Sequence, residues 1–121
     1  MTRGIRGAVT VAENSREAIF EATTRLLREI LERNAIDSKE IASMFLTTTP
    51  DLNADFPAYA VRENGLTQVP VLCASEIAVP GAMKRLVRIL LHVNTDKKQN
   101  EIKHVYLGEA ASLRPDLTSP E

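Results

Sequence analysis

The sequence predicts an α+β fold: a single domain with a mixed β-sheet of about five strands, one long helix and short helices. Short apolar stretches recur along the chain, several with period-two alternation, while only one stretch carries a long helical stripe. Turn-forming residues separate these stretches, and no repeat, low-complexity segment or domain linker interrupts them. A length of 121 residues corresponds to one domain. Chains of this size bury roughly two thirds of their unfolded surface, enough for a real core.

Ile5, Gly7, Val9 and Val11 alternate with Arg6, Ala8 and Thr10, the pattern of a first strand. Asn14 and Glu17 form a capping-box signature. Beyond it Ile19, Ala22, Leu26 and Ile30 make one helical stripe, with Glu21/Arg25 and Glu29/Arg33 pairs on the wet face, and Asn34 closes the helix. Asp37 and Ser38 can cap one further turn before a second strand, Ser43 to Thr48. Thr49 to Asn53 is loop chemistry. A short helix then begins at Asp55-Phe56-Pro57 and ends at Asn64-Gly65. Val69 to Cys73 reads as a brief strand, and Val79-Pro80-Gly81 as a turn. Leu86 to Asn94 is the most β-like run, with Arg88 and His92 on the same side as Leu86 and Leu90. A polar connection, Thr95 to Lys103, leads to a last strand from His104 to Leu107. Residues 115–121 read as a flexible C-terminal tail. One long helix covers only one face of such a sheet, and packing several chains together would cover the other.

Composition narrows the function. The net charge of -1 supplies no basic field for nucleic acid or an anionic membrane, so any anion must meet a local group of cations. Cys73 is the single cysteine, which rules out an intrachain disulfide and a metal site of several thiolates. No signal-type or membrane-length apolar run is present, and a cytoplasmic protein is expected. Dinucleotide, P-loop, zinc-protease and nucleophile-elbow motifs are all missing. His92 and His104 are the only histidines, a poor supply for triad or metal chemistry.

Arg88 is the most informative residue. Guanidinium stays charged, and a charge flanked by Val87, Ile89, Leu90 and Leu91 is expensive unless it is paired or turned to solvent. Arg6 carries the same ambiguity between Ile5 and Gly7. Glu76 lies where an apolar segment gives way to a loop, a common place for sites, although a solvated glutamate is the plainer reading. Tyr106 on the last strand is more often core than site, and Arg114 before Pro115 more often a surface charge.

In context these residues carry more. Arg3-Gly4-Ile5-Arg6-Gly7-Ala8-Val9-Thr10-Val11, Thr49-Pro50-Asp51-Leu52 with Phe56-Pro57-Ala58, His104-Val105-Tyr106-Leu107 and Leu113-Arg114-Pro115-Asp116-Leu117 closely resemble the monofunctional bacterial chorismate mutases. Val69-Pro70-Val71 and Arg88 fall at that family's spacing, so the resemblance spans essentially the whole chain. It implies a homotrimeric pseudo-α/β-barrel with sites at the subunit interfaces. The implied activity is cofactor-free rearrangement of chorismate to prephenate in phenylalanine and tyrosine biosynthesis, with no metal.

Residue by residue, the resemblance makes Arg88 and Glu76 the catalytic pair. It adds Arg6 and Tyr106 as substrate contacts and Leu72, Cys73, Ala74 and Ser75 as the pocket wall. Phe56, Arg62, Leu113 and Arg114 would line or cover the cleft, with Arg88 and the Phe56-to-Arg62 helix on opposite sides of one subunit boundary. Tyr59 departs from the pattern, because relatives often carry a charged residue there. A trimeric carboxylate-binding protein without turnover, or a purely structural oligomer, would be the rival readings.

Overall fold

The computed structural model describes residues 1–113; Arg114 and the tail expected over 115–121 lie outside them. The described residues fold into one sheet of five strands, β1 (Thr2–Thr10), β2 (Ile41–Thr48), β3 (Val71–Ser75), β4 (Leu86–Asn94) and β5 (Val105–Leu107). Two α-helices accompany them, α1 (Arg16–Arg33) and α2 (Ala58–Glu63). The order across the sheet is β3-β2-β4-β1-β5, with β4 antiparallel to β1 and β2, and β3 and β5 parallel to their neighbours.

The helix α1 buries Ile19, Ala22, Leu26, Leu27 and Ile30 against the sheet. It comes so close to β1 that a Cβ on Gly7 would stand 2.8 Å from Ile30 Cδ1 and 3.0 Å from the Val105 carbonyl. Any side chain there would force the Ile30 and Leu26 methyls aside and crowd that carbonyl. The cap differs from the Asn14–Glu17 box expected from the sequence. Ser15 takes the extended backbone of an N-cap, and its Oγ accepts from the Ala18 N–H at 3.1 Å. Asn14 serves the neighbouring loop instead: its Oδ1 accepts from the N–H groups of Asn53 and Ala54, both at 3.1 Å.

At the other end Asn34 closes the helix as expected. Its buried side chain donates to the carbonyls of Ile30 and Lys103 and accepts from the Lys103 N–H at 2.7 Å. One residue thus finishes α1 and fixes the approach to β5. Four strands differ in their bounds from the reading of the sequence, β2 by starting at Ile41, two residues before Ser43. Pairing of Thr2 with Asn94 extends β1 forward, and β5 begins at Val105. The strand β3 is Val71–Ser75, two residues later than Val69 to Cys73. Pro70 has no N–H to give a ladder, so only its carbonyl is used, by the Met44 N–H at 2.9 Å.

Alternation along β4 sorts the two sheet faces. Val87, Ile89, Leu91 and Val93 are buried in the core beneath α1, whereas Arg88, Leu90 and His92 face the other way. Among the described residues no α-helix lies over that second face. Register places Leu72, Phe45, Leu90 and Arg6 in one row across it, and Ala74, Thr47, Arg88, Ala8 and Tyr106 in the next. Phe45 and Leu72 are exposed there at 43% and 61%. A small second cluster of Ala8, Leu86, Tyr106 and Ala110, with Met83 and Leu113 against it, closes one end of this face.

Candidate active site

Arg88 is paired, and the partner is Glu76. The Arg88 Nε lies 3.1 Å from Glu76 Oε2, and the Thr47 hydroxyl donates to the same oxygen at 2.7 Å. Thr47 stands directly opposite Arg88 in the β2–β4 register, so the sheet itself delivers both groups to one carboxylate. The backbone N–H of Glu76 donates to the Thr48 carbonyl at 2.9 Å, which fixes where β3 hands over to the following loop. The bridge occupies only Nε. The terminal nitrogens of Arg88 have four further N–H groups, with no partner among the described residues.

Tyr106 and Arg88 flank Ala8 in one row of the sheet. Two strand spacings separate them, roughly 10 Å at the backbone. Arg6 lies diagonally from Arg88 on the neighbouring strand, a relation that brings Cβ atoms within roughly 7 to 8 Å. Tyr106 is both core and candidate contact: its ring is buried in the second cluster, on the face that carries Arg88.

Two clefts divide the remaining residues. A cleft of about 500 Å3 is lined by Glu76, Arg88 and Leu113, with Thr49 to Asp51 and the 77–84 loop around them. A second cleft, of about 400 Å3, is lined by Phe56, Pro57, Cys73, Ala74 and Ser75. The wall between them is the chain itself, which passes from Thr48 to Thr49 and from Ser75 to Glu76. Arg62 lies on α2, beyond Phe56 in the chain, and lines neither cleft. Leu72 also lines neither, because it points onto the uncovered sheet face. These residues therefore line two separate clefts on a single chain.

Cys73 is half-buried, and burial pushes its thiol up, opposed by a hydrogen bond from the Ala58 backbone N–H. A raised pKa keeps the sulfur protonated, the opposite of an activated nucleophile. No cluster of three His, Cys, Asp or Glu side chains suited to a metal occurs among the described residues. No helix among them is long and apolar enough to cross a membrane.

Three residues escaped the reading of the sequence. Thr47 ends an apolar strand in a run of hydroxyls, and only the register shows that it faces Glu76. Asp51 accepts from the Arg85 N–H at 2.9 Å on the rim of the larger cleft. Arg85 is a non-glycine residue with a positive φ of 53°. It donates to the carbonyls of Val11 and Ala12, pinning the end of β1 beside the start of β4.

Fold and site define a small α+β domain that carries an arginine–glutamate pair beside an open cleft. The chain belongs to the chorismate mutase type I family, whose model matches residues 2–117. It is 50% identical over 122 residues to the chorismate mutase AroH of Thermus thermophilus, spanning the whole of both chains. Against the Bacillus subtilis (strain 168) chorismate mutase AroH the identity is 46%, covering 98% of this chain and 94% of the other. The solved chorismate mutase of Clostridium thermocellum superposes with a TM-score of 0.90 at 44% identity, covering 91% of this chain and 98% of that one.

Proposed function

We propose that the chain rearranges chorismate to prephenate in a cleft completed by a second copy, in a cytoplasmic homotrimer. The observation that carries this is the Glu76–Arg88 pair on a sheet face that also presents Arg6 and Tyr106. Chorismate is a dicarboxylate, and its conversion is intramolecular: one ether C–O bond breaks as one C–C bond forms. No proton is abstracted and no nucleophile attacks, so the reaction itself requires neither metal nor coenzyme. A protein accelerates it by holding the folded conformer and by aiming donors at the charge that develops on the ether oxygen.

Each side chain has a part in that task. The Arg88 terminal N–H groups serve the ether oxygen and a carboxylate, which a rigid fork does better than a lysine point charge. The bridge to Glu76 holds that fork in place. Arg6 and the Tyr106 hydroxyl take carboxylates, and the second oxygen of Glu76 accepts from the substrate hydroxyl. Leu113 lines the same cleft, and Arg114 follows it in the chain. The separation of the Phe56–Cys73 cleft from the Arg88 cleft supports a site shared between chains, with Phe56, Arg62 and the Cys73–Ser75 wall brought by the neighbour. The uncovered sheet face, with Phe45 and Leu72 exposed, supports packing of copies against one another.

The test uses purified protein, dialysed against a chelator, with chorismate alone. Loss of chorismate's ultraviolet absorbance with formation of prephenate, by a species of trimer mass, is the expected result. Binding without turnover would favour a carboxylate-binding trimer, and dependence on added metal would overturn the cofactor-free reading.

A further inference from the structure

Phe56 is 59% exposed, yet it lines the smaller cleft, where an exposed ring would otherwise sample several rotamers. Tyr59 meets it edge-on, with centroids 5.6 Å apart and planes at 76°. The other side of Tyr59 meets Phe20 in a second edge contact, 6.4 Å at 71°. Phe20 belongs to the buried stripe of α1 and carries the Arg16 guanidinium over its face at 4.4 Å. From there Arg16 reaches Asp55, with Nε 3.0 Å from Oδ2, and Asp55 Oδ1 accepts from the Phe56 N–H at 2.7 Å. Both the backbone and the ring of Phe56 are thereby tied to α1, the ring through Tyr59 alone among the described aromatic contacts.

We infer that Tyr59 is a positioning residue for substrate binding: it transmits the rigidity of the core, through Phe20, to the Phe56 ring at the cleft. This rests on the reading that Phe56 belongs to the site. Tyr59 does not touch the reacting atoms. Its work is to raise the fraction of molecules whose Phe56 ring stands where substrate needs it. The apparent Kd is the intrinsic Kd divided by that competent fraction, so the effect falls on KM and leaves kcat in place. Ring edges make the contacts and the hydroxyl is not used in them, so phenylalanine serves as well as tyrosine at this position.

Steady-state kinetics on the assembled enzyme compare Tyr59→Ala, Tyr59→Phe, Phe56→Ala and the Tyr59→Ala/Phe56→Ala double variant, with circular dichroism as the folding check. Tyr59→Leu replaces Tyr59→Ala if the latter does not fold. Expected are a rise of about three- to tenfold in KM for Tyr59→Ala, the ratio that one lost edge contact removes, and a kcat within about twofold. Tyr59→Phe should match the wild type. The double variant should be no worse than Phe56→Ala, because Tyr59 has nothing left to hold.

If Phe56→Ala raises KM while Tyr59→Ala does not, the inference fails and the site reading stands. Additive effects, or a Tyr59→Phe as impaired as Tyr59→Ala, would also overturn it, since Tyr59 would then act on substrate directly through its hydroxyl. An unchanged KM in Phe56→Ala would remove Phe56 from the site and the inference with it.

Discussion

Glu76 is the partner of Arg88: its Oε2 lies 3.1 Å from the arginine Nε, beside the apolar stretch of β4 that holds Val87, Ile89, Leu90 and Leu91. The Arg88 side chain is 44% exposed and that of Glu76 18%. At such exposure the bridge adds little to stability. Its value is directional, because a guanidinium held by one nitrogen aims the other two.

Arg88→Lys should therefore fold and lose most of its rate. One preorganised donor at developing charge is worth about 3 to 4 kcal/mol, roughly a hundredfold to a thousandfold. The loss should appear mainly in kcat, because the interaction strengthens in the transition state. Stopped or continuous absorbance assays at saturating chorismate measure it, and a variant within about threefold of wild type would remove Arg88 from the chemistry.

Cys73→Ser should keep substantial activity. Burial raises the thiol's pKa, and the proposed reaction has no covalent intermediate. A hydroxyl can still accept from the Ala58 N–H. Complete inactivation of a folded Cys73→Ser protein would revive nucleophilic catalysis.

Asp51 gives stability a pH dependence. Burial pushes its carboxyl up, but the Thr49 hydroxyl, the backbone N–H groups of Asp51 and Arg85 and the nearby Lys84 charge outweigh it, leaving the pKa below its ordinary value. A lowered folded-state pKa means stability that is fully present above the unfolded value, about 3.9, and lost as pH falls through the folded value. Asp51→Asn should lower Tm at neutral pH, and the gap from wild type should narrow as pH drops below about 4. Thermal unfolding at fixed protein concentration measures both curves. A gap that persists undiminished at acid pH would mean the carboxylate charge is not the stabilising feature.

The architecture was largely legible because its strongest signals are periodic. The Ile19-to-Ile30 stripe gave α1 and the Leu86-to-Asn94 alternation gave β4, including the face that Arg88 and His92 share with Leu86 and Leu90. Boundaries were less legible where chemistry is ambiguous. Asn14 and Ser15 are equally good caps, and only the demand of the 53–54 loop for an acceptor decides between them. Val69 and Val71 are equally apolar, and the shift of β3 follows from what Pro70 cannot donate. For the site, the pattern around Arg88 left open whether it is paired or turned to solvent, and named no partner. Glu76 reaches it across a loop, and Thr47 joins them only through pairing of β2 with β4. The split of the site residues between two clefts depends on chain path, which no local pattern encodes.

The last prediction tests the shared cleft. If each site takes Arg88 from one chain and the Phe56-to-Arg62 segment from the next, two defective chains can repair each other. In a cyclic trimer every boundary is equivalent and heterologous. Arg88→Ala and Arg62→Ala chains are mixed, unfolded and refolded together. Random assembly makes about three quarters of the trimers mixed, and every mixed ring contains one boundary at which both arginines are intact. One site in three within three quarters of the trimers restores about a quarter of all sites. Each parent must first prove folded, trimeric and substantially impaired, and Phe56→Asp replaces Arg62→Ala if the latter stays active. Activity should then rise toward about a quarter of wild type, well above either parent. Exchange is confirmed by mass spectrometry of a size-tagged chain. Activity that stays at the parents' average despite that exchange would place every site within a single chain, and the two clefts on one subunit would need another explanation.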